Sequence, residues 1–170
     1  IEDKPVMLGF VDRIVVLSKS GEIVAHVPRL ESVGGHSMAD AEYFRHVLRT
    51  RKPYVSKPFR GPDAGQPVVH VAVPYLSEQG ELKLVFAGVL FLLNPDFIGQ
   101  ARELKLGKTG YFVIADADRT IIAHPDATRV LTRPQANADP LAERMLAHES
   151  GTEELTLADG TRAYITVTRL

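Results

Sequence analysis

The stretch Gly107–Pro125, GKTGYFVIADADRTIIAHP, decides the fold. Two short apolar runs, Tyr111–Ala115 and Thr120–Ala123, flank the turn-rich Asp116–Arg119. Short apolar runs on either side of a cluster of turn formers predict a β-hairpin. A second copy lies upstream. Displaced by 98 residues, Val15–His26 (VVLSKSGEIVAH) falls on Val113–His124 (VIADADRTIIAH) without a gap. Val15/Val113, Ile23/Ile121, Ala25/Ala123 and His26/His124 are identical, and most other apolar positions stay apolar. The segments after each copy correspond as well. A repeat sets the architecture before any single element does, and here it predicts two copies of one small unit.

Composition narrows the classes. A chain of 170 residues fits one domain or two small ones. With 45% hydrophobic and 24% charged residues, it has material for a core. A net charge of -1 with no basic run argues against nucleic acid as a partner. Cysteine is absent, which removes disulfides, thiolate zinc sites and cysteine nucleophiles without fixing the compartment. The longest apolar run, Leu84–Leu93, is half of the about 20 residues a membrane span needs, so it is expected as a buried strand. No signal peptide stands at the start, and the chain opens on Ile1 rather than methionine. An excised piece of a longer protein is expected.

Taken in order, Val11–Leu17 and Glu22–Val27 are expected as strands joined by the turn Ser18–Gly21, with Pro28 ending the second. Tyr43, Phe44, Val47 and Leu48 recur at helical spacing, so Ala41–Thr50 is expected as an amphipathic helix. Asp40 or Ser37 is its expected N-cap, and Lys52-Pro53 stops it. Tyr54–Phe59, Pro67–Leu76 and Leu82–Leu93 are three further strands. A helix follows from Asn94-Pro95 to a C-terminal Gly107. After the second hairpin come a loop, a helix from Asp139-Pro140 to Gly151, and the strands Thr152–Leu157 and Arg162–Thr168. The whole is an α+β arrangement on an antiparallel sheet.

Catalytic constellations are weak. The six histidines show no metal-ligand spacing, and no serine lies in a GxSxG context. No glycine pattern opens a helix as a phosphate loop would. His124-Pro125-Asp126 is better explained as a proline-stiffened strand end, and Asp116 and Asp118 as turn residues. His46 and His148 are expected to be solvated on helices.

A better cluster surrounds the first helix: His36, Tyr43, Phe44, Tyr54, Ser56 and Phe59, with His70 on the facing strand. In Pro67–Tyr75, Val69, Val71 and Val73 share one face while Val68, His70, Ala72 and Pro74 share the other. With the valine face against a helix layer, His70 points to the concave side beside the loop and helix residues. Aromatic walls with a few polar tips suit a small-ligand site. The same aromatic spacing suits a plain core, so both readings of Tyr43 and Phe44 stay open.

GKTGYFVIADADRTIIAHPD resembles the Gly-x-x-Gly-Tyr strand, acidic turn and Ile-Ile-x-His-Pro pattern of double Cache domains, the extracytoplasmic sensor modules of bacterial transmembrane receptors. Asp40–Phe44 with Lys52–Ser56, and Pro67–Pro74 with Gly88–Leu90, resemble the distal module of that family, so the likeness spans nearly the whole chain.

The resemblance implies two tandem PAS-like modules, each a mostly antiparallel sheet with flanking helices. The distal module would be 1–98, a linker helix 99–106, and the proximal module 107–170, short of one strand. It implies a small-molecule ligand in the distal module and no cofactor. It implies membrane anchoring and homodimerisation through a long N-terminal helix mostly missing here, and output to a diguanylate cyclase, histidine kinase or chemoreceptor domain. The localisation implied is periplasmic. Within the cluster around the first helix, Tyr43, Tyr54 and His70 are the expected polar contacts, and Phe44 and Phe59 the expected walls. Two departures matter. Ala41 stands where the common form has arginine, and Leu90–Leu93 lacks the aspartate of the amino-acid-binding branch. An uncharged or more apolar ligand, or none, is then expected rather than an α-amino acid. A ligand-free structural or dimerisation module is the alternative. A hydrolase using His124 with Asp126 or Asp116 is the remote one.

Overall fold

The computed structural model describes residues 11–28, 37–61, 65–94, 103–134, 150–156 and 160–168. The first half contains β1 (Arg13–Ser18), β2 (Ile23–Val27), α1 (Glu42–Thr50), β3 (Tyr54–Val55), β4 (Phe59–Arg60), β5 (Pro67–Leu76) and β6 (Leu82–Phe91). They form one antiparallel sheet in the order β2-β1-β6-β5-β3, with β4 also paired to β5. The expected single strand Tyr54–Phe59 is two short ones. Between them lies Pro58, which has no N–H to give the ladder.

Register fixes which side chains share a face, because residues directly opposite each other point the same way. Leu17 opposes Val85, Val15 opposes Ala87, and Ala87 opposes Ala72 in turn. This face receives α1. Tyr43, Phe44 and Val47 pack there with Val15, Leu17, Ala72, Leu82, Val85 and Ala87. Burying Phe44 alone contributes about 1.5–3 kcal/mol. Thus α1 takes the Ala72 face, which is also the face of His70. Val69, on the other face, packs with Leu92 and Val130.

The helix start differs from expectation. Its N-cap is Ala41, with no side-chain capping bond. Ser37 Oγ instead accepts from Ala39 N at 3.2 Å, and Met38 N donates to Gly21 O at 2.7 Å. The approach to α1 is therefore pinned to the β1–β2 turn. Gly21 has φ +85°, and a Cβ there would lie 2.6 Å from Ala39 N, so turn and helix approach meet on a residue with no side chain. The helix ends at Arg51 in the left-handed region (φ 57°), whose N–H closes on Val47 O at 2.9 Å, two residues before Pro53.

The second half holds β7 (Lys105–Leu106), β8 (Gly110–Tyr111), β9 (Ile114–Ala115), β10 (Ile121–Ala123), a 3-10 turn at Ala127–Arg129, β11 (Gly151–Thr156) and β12 (Arg162–Val167). The expected helix does not run to Gly107. Lys105–Leu106 instead pairs with Gly110–Tyr111, and Gly107, at φ +63°, serves that tight turn. The expected strand Tyr111–Ala115 is correspondingly divided between β8 and β9. The start of the helix at Asn94-Pro95 and the helix from Asp139-Pro140 fall largely or wholly outside the described residues.

The two hairpins agree in detail. Leu17 pairs with Ile23 and Val16 with Ala25; 98 residues on, Ala115 pairs with Ile121 and Ile114 with Ala123, each with the same register shift. Ser18 N donates to Glu22 O at 2.8 Å as Asp116 N does to Thr120 O at 3.0 Å. Gly21 N donates to Ser18 O at 3.0 Å as Arg119 N does to Asp116 O at 2.9 Å. Both Gly21 and Arg119 sit at positive φ, 85° and 67°.

Candidate functional site

The α1 helix covers only part of its face of the sheet. Beyond it the register continues with Arg13 opposite Val89 and Val89 opposite His70, then Phe91 opposite Val68 and Val68 opposite Phe59. Tyr43, on the first turn of α1, reaches this border. Its ring meets His70 edge-on at a centroid distance of 4.7 Å, and Phe59 meets the same imidazole edge-on at 5.0 Å. His70 is thus held between two aromatic rings from two different elements.

Ser56 fixes the edge of this group. Its N–H donates to His70 O at 2.8 Å, and its Oγ accepts from His70 N at 2.9 Å. The side chain is buried at 8% exposure. A buried hydroxyl engaged in this way spares the strand a lost ladder bond where β3 gives way to Lys57-Pro58. Phe59 is 37% exposed, so the ring that meets His70 is still partly open to solvent.

Four of the expected residues, Tyr43, Ser56, Phe59 and His70, therefore come together. Phe44 does not join them at the rim. At 1% exposure it lies in the core with Leu17 and Val85. Tyr54 turns toward the helix instead, where its Oη donates to Glu42 Oε1 at 2.6 Å and His46 stacks on its ring at 4.3 Å. His46 is thus a stacking partner rather than simply solvated. His36 lies outside the described residues.

Burial sets the protonation of the central phenol. Loss of water around Tyr43 pushes its pKa up to about 12, so it stays a neutral donor at any physiological pH. Tyr54 is also raised, chiefly because its hydroxyl is bonded to the Glu42 carboxylate.

Sequence reasoning missed three participants. Arg13 lies with its guanidinium 5.3 Å from the centre of the Phe91 ring. Asp12 accepts from Phe91 N at 2.7 Å and from the Asn94 amide at 2.6 Å, clasping the start of β1 to the end of β6. Lys57, next to Ser56, pairs with Asp118 in the second hairpin at 2.5 Å. That pair holds the Asp118 carboxyl below its usual range and the lysine above its own. All three depend on contacts between distant parts of the chain, which no local pattern shows.

The residues of the remote hydrolytic reading are engaged in turn geometry. Asp116 Oδ1 accepts from Thr120 N at 2.8 Å, and Asp126 Oδ1 accepts from Thr128 N at 2.9 Å and its hydroxyl at 2.7 Å. His124 Nδ1 accepts from Asp126 N at 2.9 Å, and the ring is buried. No group of three or more metal-ligating side chains occurs among the described residues. Nor is any helix among them long and apolar enough to cross a membrane.

The sheet order, the helix crossing one face and the repeated hairpin define a Cache/PAS-like α+β fold. A family model described as Cache domain matches residues 2–170. The chain belongs to the Cache domain family. Among solved structures, this Cache domain is similar to the ligand-binding domain of the Pseudomonas aeruginosa PAO1 amino acid chemoreceptor PctC in complex with GABA. The TM-score is 0.67 at 22% identity, covering 98% of this chain and 70% of that one. It is similar to the ligand-binding domain of the Pseudomonas fluorescens chemoreceptor CtaA in complex with L-leucine, with TM-score 0.62 and 17% identity over 96% and 66% of the two chains. An extracellular ligand binding receptor from Desulfohalobium retbaense also aligns, with TM-score 0.64 and 19% identity over 86% and 26%. A curated relative, a probable methyl-accepting chemotaxis protein of Bacillus thuringiensis subsp. konkukian, is 22% identical over 116 residues. The chain aligns over 68% of its own length but only 17% of that relative. The fold is that of sensor ligand-binding domains.

Proposed function

We propose that this Cache domain is the extracytoplasmic small-molecule-sensing region of a membrane-bound signalling protein. Its ligand sits on the face carrying Tyr43, His70 and Phe59. The observation that carries this reading is the imidazole of His70 clamped edge-on by two aromatic rings at the border of α1, with Phe59 partly exposed. A polar group held among aromatic walls, at the border of the covering helix, is what a small-ligand site requires.

The family and the solved likenesses support the same reading, since two of the latter are chemoreceptor domains in complex with GABA and L-leucine. The matching hairpins support two tandem modules, 1–98 and 107–170, with the ligand in the first. The full protein would be anchored in the inner membrane, pair through helices preceding the chain, and relay ligand binding to a chemoreceptor, histidine kinase or diguanylate cyclase domain. A ligand can shift such a receptor only by its differential affinity for two arrangements. The 5% exposure of Tyr43 favours a second reading, a ligand-free structural module in which this face is simply core.

Thermal-shift screening against small metabolites separates the two. A ligand at about 100 times its Kd adds about 2.7 kcal/mol, or roughly 5–10 °C for a chain of this size. Such a shift is expected for at least one metabolite and should vanish in His70→Ala. A hit that stabilises His70→Ala and Tyr43→Phe as much as the parent protein would show the site to be wrongly placed.

A further inference from the structure

We infer that Lys57 and Asp118 form a latch that couples the His70 face of the six-stranded sheet to the turn of the second hairpin, and that the latch opens and closes about a fixed apolar contact of Val69, Leu92 and Val130. The inference deepens the reading above by naming how that face is read out. It rests on that reading for the ligand, and on the contacts alone for the coupling.

Lys57 stands in the short segment that holds His70. On one side of it, Ser56 makes both of its bonds to the His70 backbone, at 2.8 and 2.9 Å. On the other, Phe59 pairs with Val68 and sets its ring against the imidazole at 5.0 Å. Val55 opposes Val71 and Phe59 opposes Val68, so the edge takes four steps where β5 takes three. The extra residue is a bulge. Lys57-Pro58 leaves the ladder there, and the exposed ammonium of Lys57 reaches the Asp118 carboxylate. The two residues that grip His70 therefore flank the one that grips the second hairpin, and a displacement of either moves Lys57.

The other end of the latch is a rigid turn. Asp118 lies between Asp116 and Thr120, whose N–H and carbonyl close the turn at 3.0 Å. The hairpin is also tied to the segment after the 3-10 turn: Leu131 N donates to Ile121 O at 2.9 Å, and Ile121 N to Thr132 O at 3.0 Å. That segment buries Val130 with Val69 and Leu92. Val69 is the neighbour of His70 on β5 and points to the opposite face. The hairpin thus meets the sheet at two places of unequal strength. The apolar contact is buried and resists change. The ion pair is exposed, and such pairs contribute little and exchange readily in salt water. Arg133 Nε donates to Thr120 Oγ1 at 3.3 Å, and its charge also acts on Asp118, so the carboxylate keeps a cation nearby when Lys57 leaves. An element so close to balance moves under a small differential affinity.

Amide hydrogen exchange and carboxyl NMR test the coupling without any ligand. Asp118→Asn, made in the second hairpin, should speed exchange of the Ser56 and His70 amides by about two- to fivefold, the range one exposed ion pair supports. Lys57→Met should speed the Asp116 and Arg119 amides by a similar factor, and the double variant should add nothing further. Phe59→Ala, made at the His70 end, should let the Asp118 carboxyl titrate closer to the ordinary carboxylate range, as Lys57→Met does; Phe59→Leu serves where the alanine variant loses its fold. Lys83→Met breaks an exposed pair with Glu81 elsewhere on the sheet and should move neither readout. Unchanged exchange at the far end in both single variants, or an Asp118 titration that ignores Phe59, overturns the latch. A metabolite whose binding is lost in His70→Ala, yet which leaves the Asp118 titration where it was, keeps the site and overturns the latch. Coupled exchange in a chain that no metabolite stabilises supports the latch and removes the ligand.

Discussion

Replacing Tyr43 by phenylalanine asks whether the ring at the border of α1 is buried as the structure has it. The change removes one hydroxyl and leaves the ring against His70, so at neutral pH it should cost under about 1.5 kcal/mol. The larger effect comes in alkali. Burial raises the folded pKa from 10.0 to about 12. Below about pH 10 the phenol is protonated in both states, and stability does not depend on it. Between about pH 10 and 12 the unfolded chain loses the proton first, so folding is penalised as pH rises. At about pH 11, one group shifted in this way costs on the order of one factor of ten in the folding constant, about 1–2 kcal/mol. Urea denaturation of both proteins at about pH 8 and about pH 11 gives the double difference directly. The parent should lose about 1–2 kcal/mol more than Tyr43→Phe. The chain has five tyrosines and no tryptophan, so phenolate absorbance gives a clean parallel titration. The difference spectrum should show one phenol with a midpoint near 12. If the two proteins lose stability equally, Tyr43 is solvated, and its place between core and site has been misassigned.

Two further outcomes follow from the geometry. Gly21→Ala puts a Cβ 2.6 Å from Ala39 N at φ +85°, so backbone must move in both turn and helix approach, and unfolding experiments should show a loss of about 2 kcal/mol or more. Ser56→Ala leaves the His70 N–H without its 2.9 Å acceptor at a buried edge, so calorimetry should show about 1–3 kcal/mol lost, against little change for Ser20→Ala on the exposed turn.

Much of the sheet was legible because its strands carry strong local signals. Pro67–Leu76 ends where a β-branched run meets turn residues, and the structure keeps those limits. Errors fell where one residue type serves two geometries. Gly107 fits a helix C-terminus and a hairpin turn equally well, and pairing of Lys105 with Tyr111 decided between them. Asp40 and Ser37 have capping side chains, but the contact of Ala39 with Gly21 fixes the backbone before either can cap. At the site, His70 could be found because alternation along one strand sets its face. Arg13 could not, because its relation to His70 passes through β6, some 75 residues away in sequence. Local pattern gives the face of a strand but not its neighbours.

The repeated hairpin shows what the shared residues were kept together for in physical terms. At the first turn, Ser18 Oγ accepts from Glu22 N at 3.2 Å; at the second, Asp116 Oδ1 accepts from Thr120 N at 2.8 Å. The left-handed position is glycine in one and arginine in the other. Different side chains thus support one backbone path, each through an oxygen that accepts from the N–H four residues on. The histidines, by contrast, are identical. His26 Nδ1 lies 3.1 Å from Pro28 O, and His124 Nδ1 lies 3.2 Å from Asp126 O, in each case two residues on. In the first copy proline has no N–H, so the imidazole must donate to the carbonyl. In the second the Asp126 N–H points at the same nitrogen at 2.9 Å, so the imidazole accepts. The ring can reverse its role because either tautomer is open to a neutral histidine. One residue type therefore closes both strand ends despite the change in proline position. That is a sufficient reason for His124 to stand beside Asp126, and it requires no reaction between them.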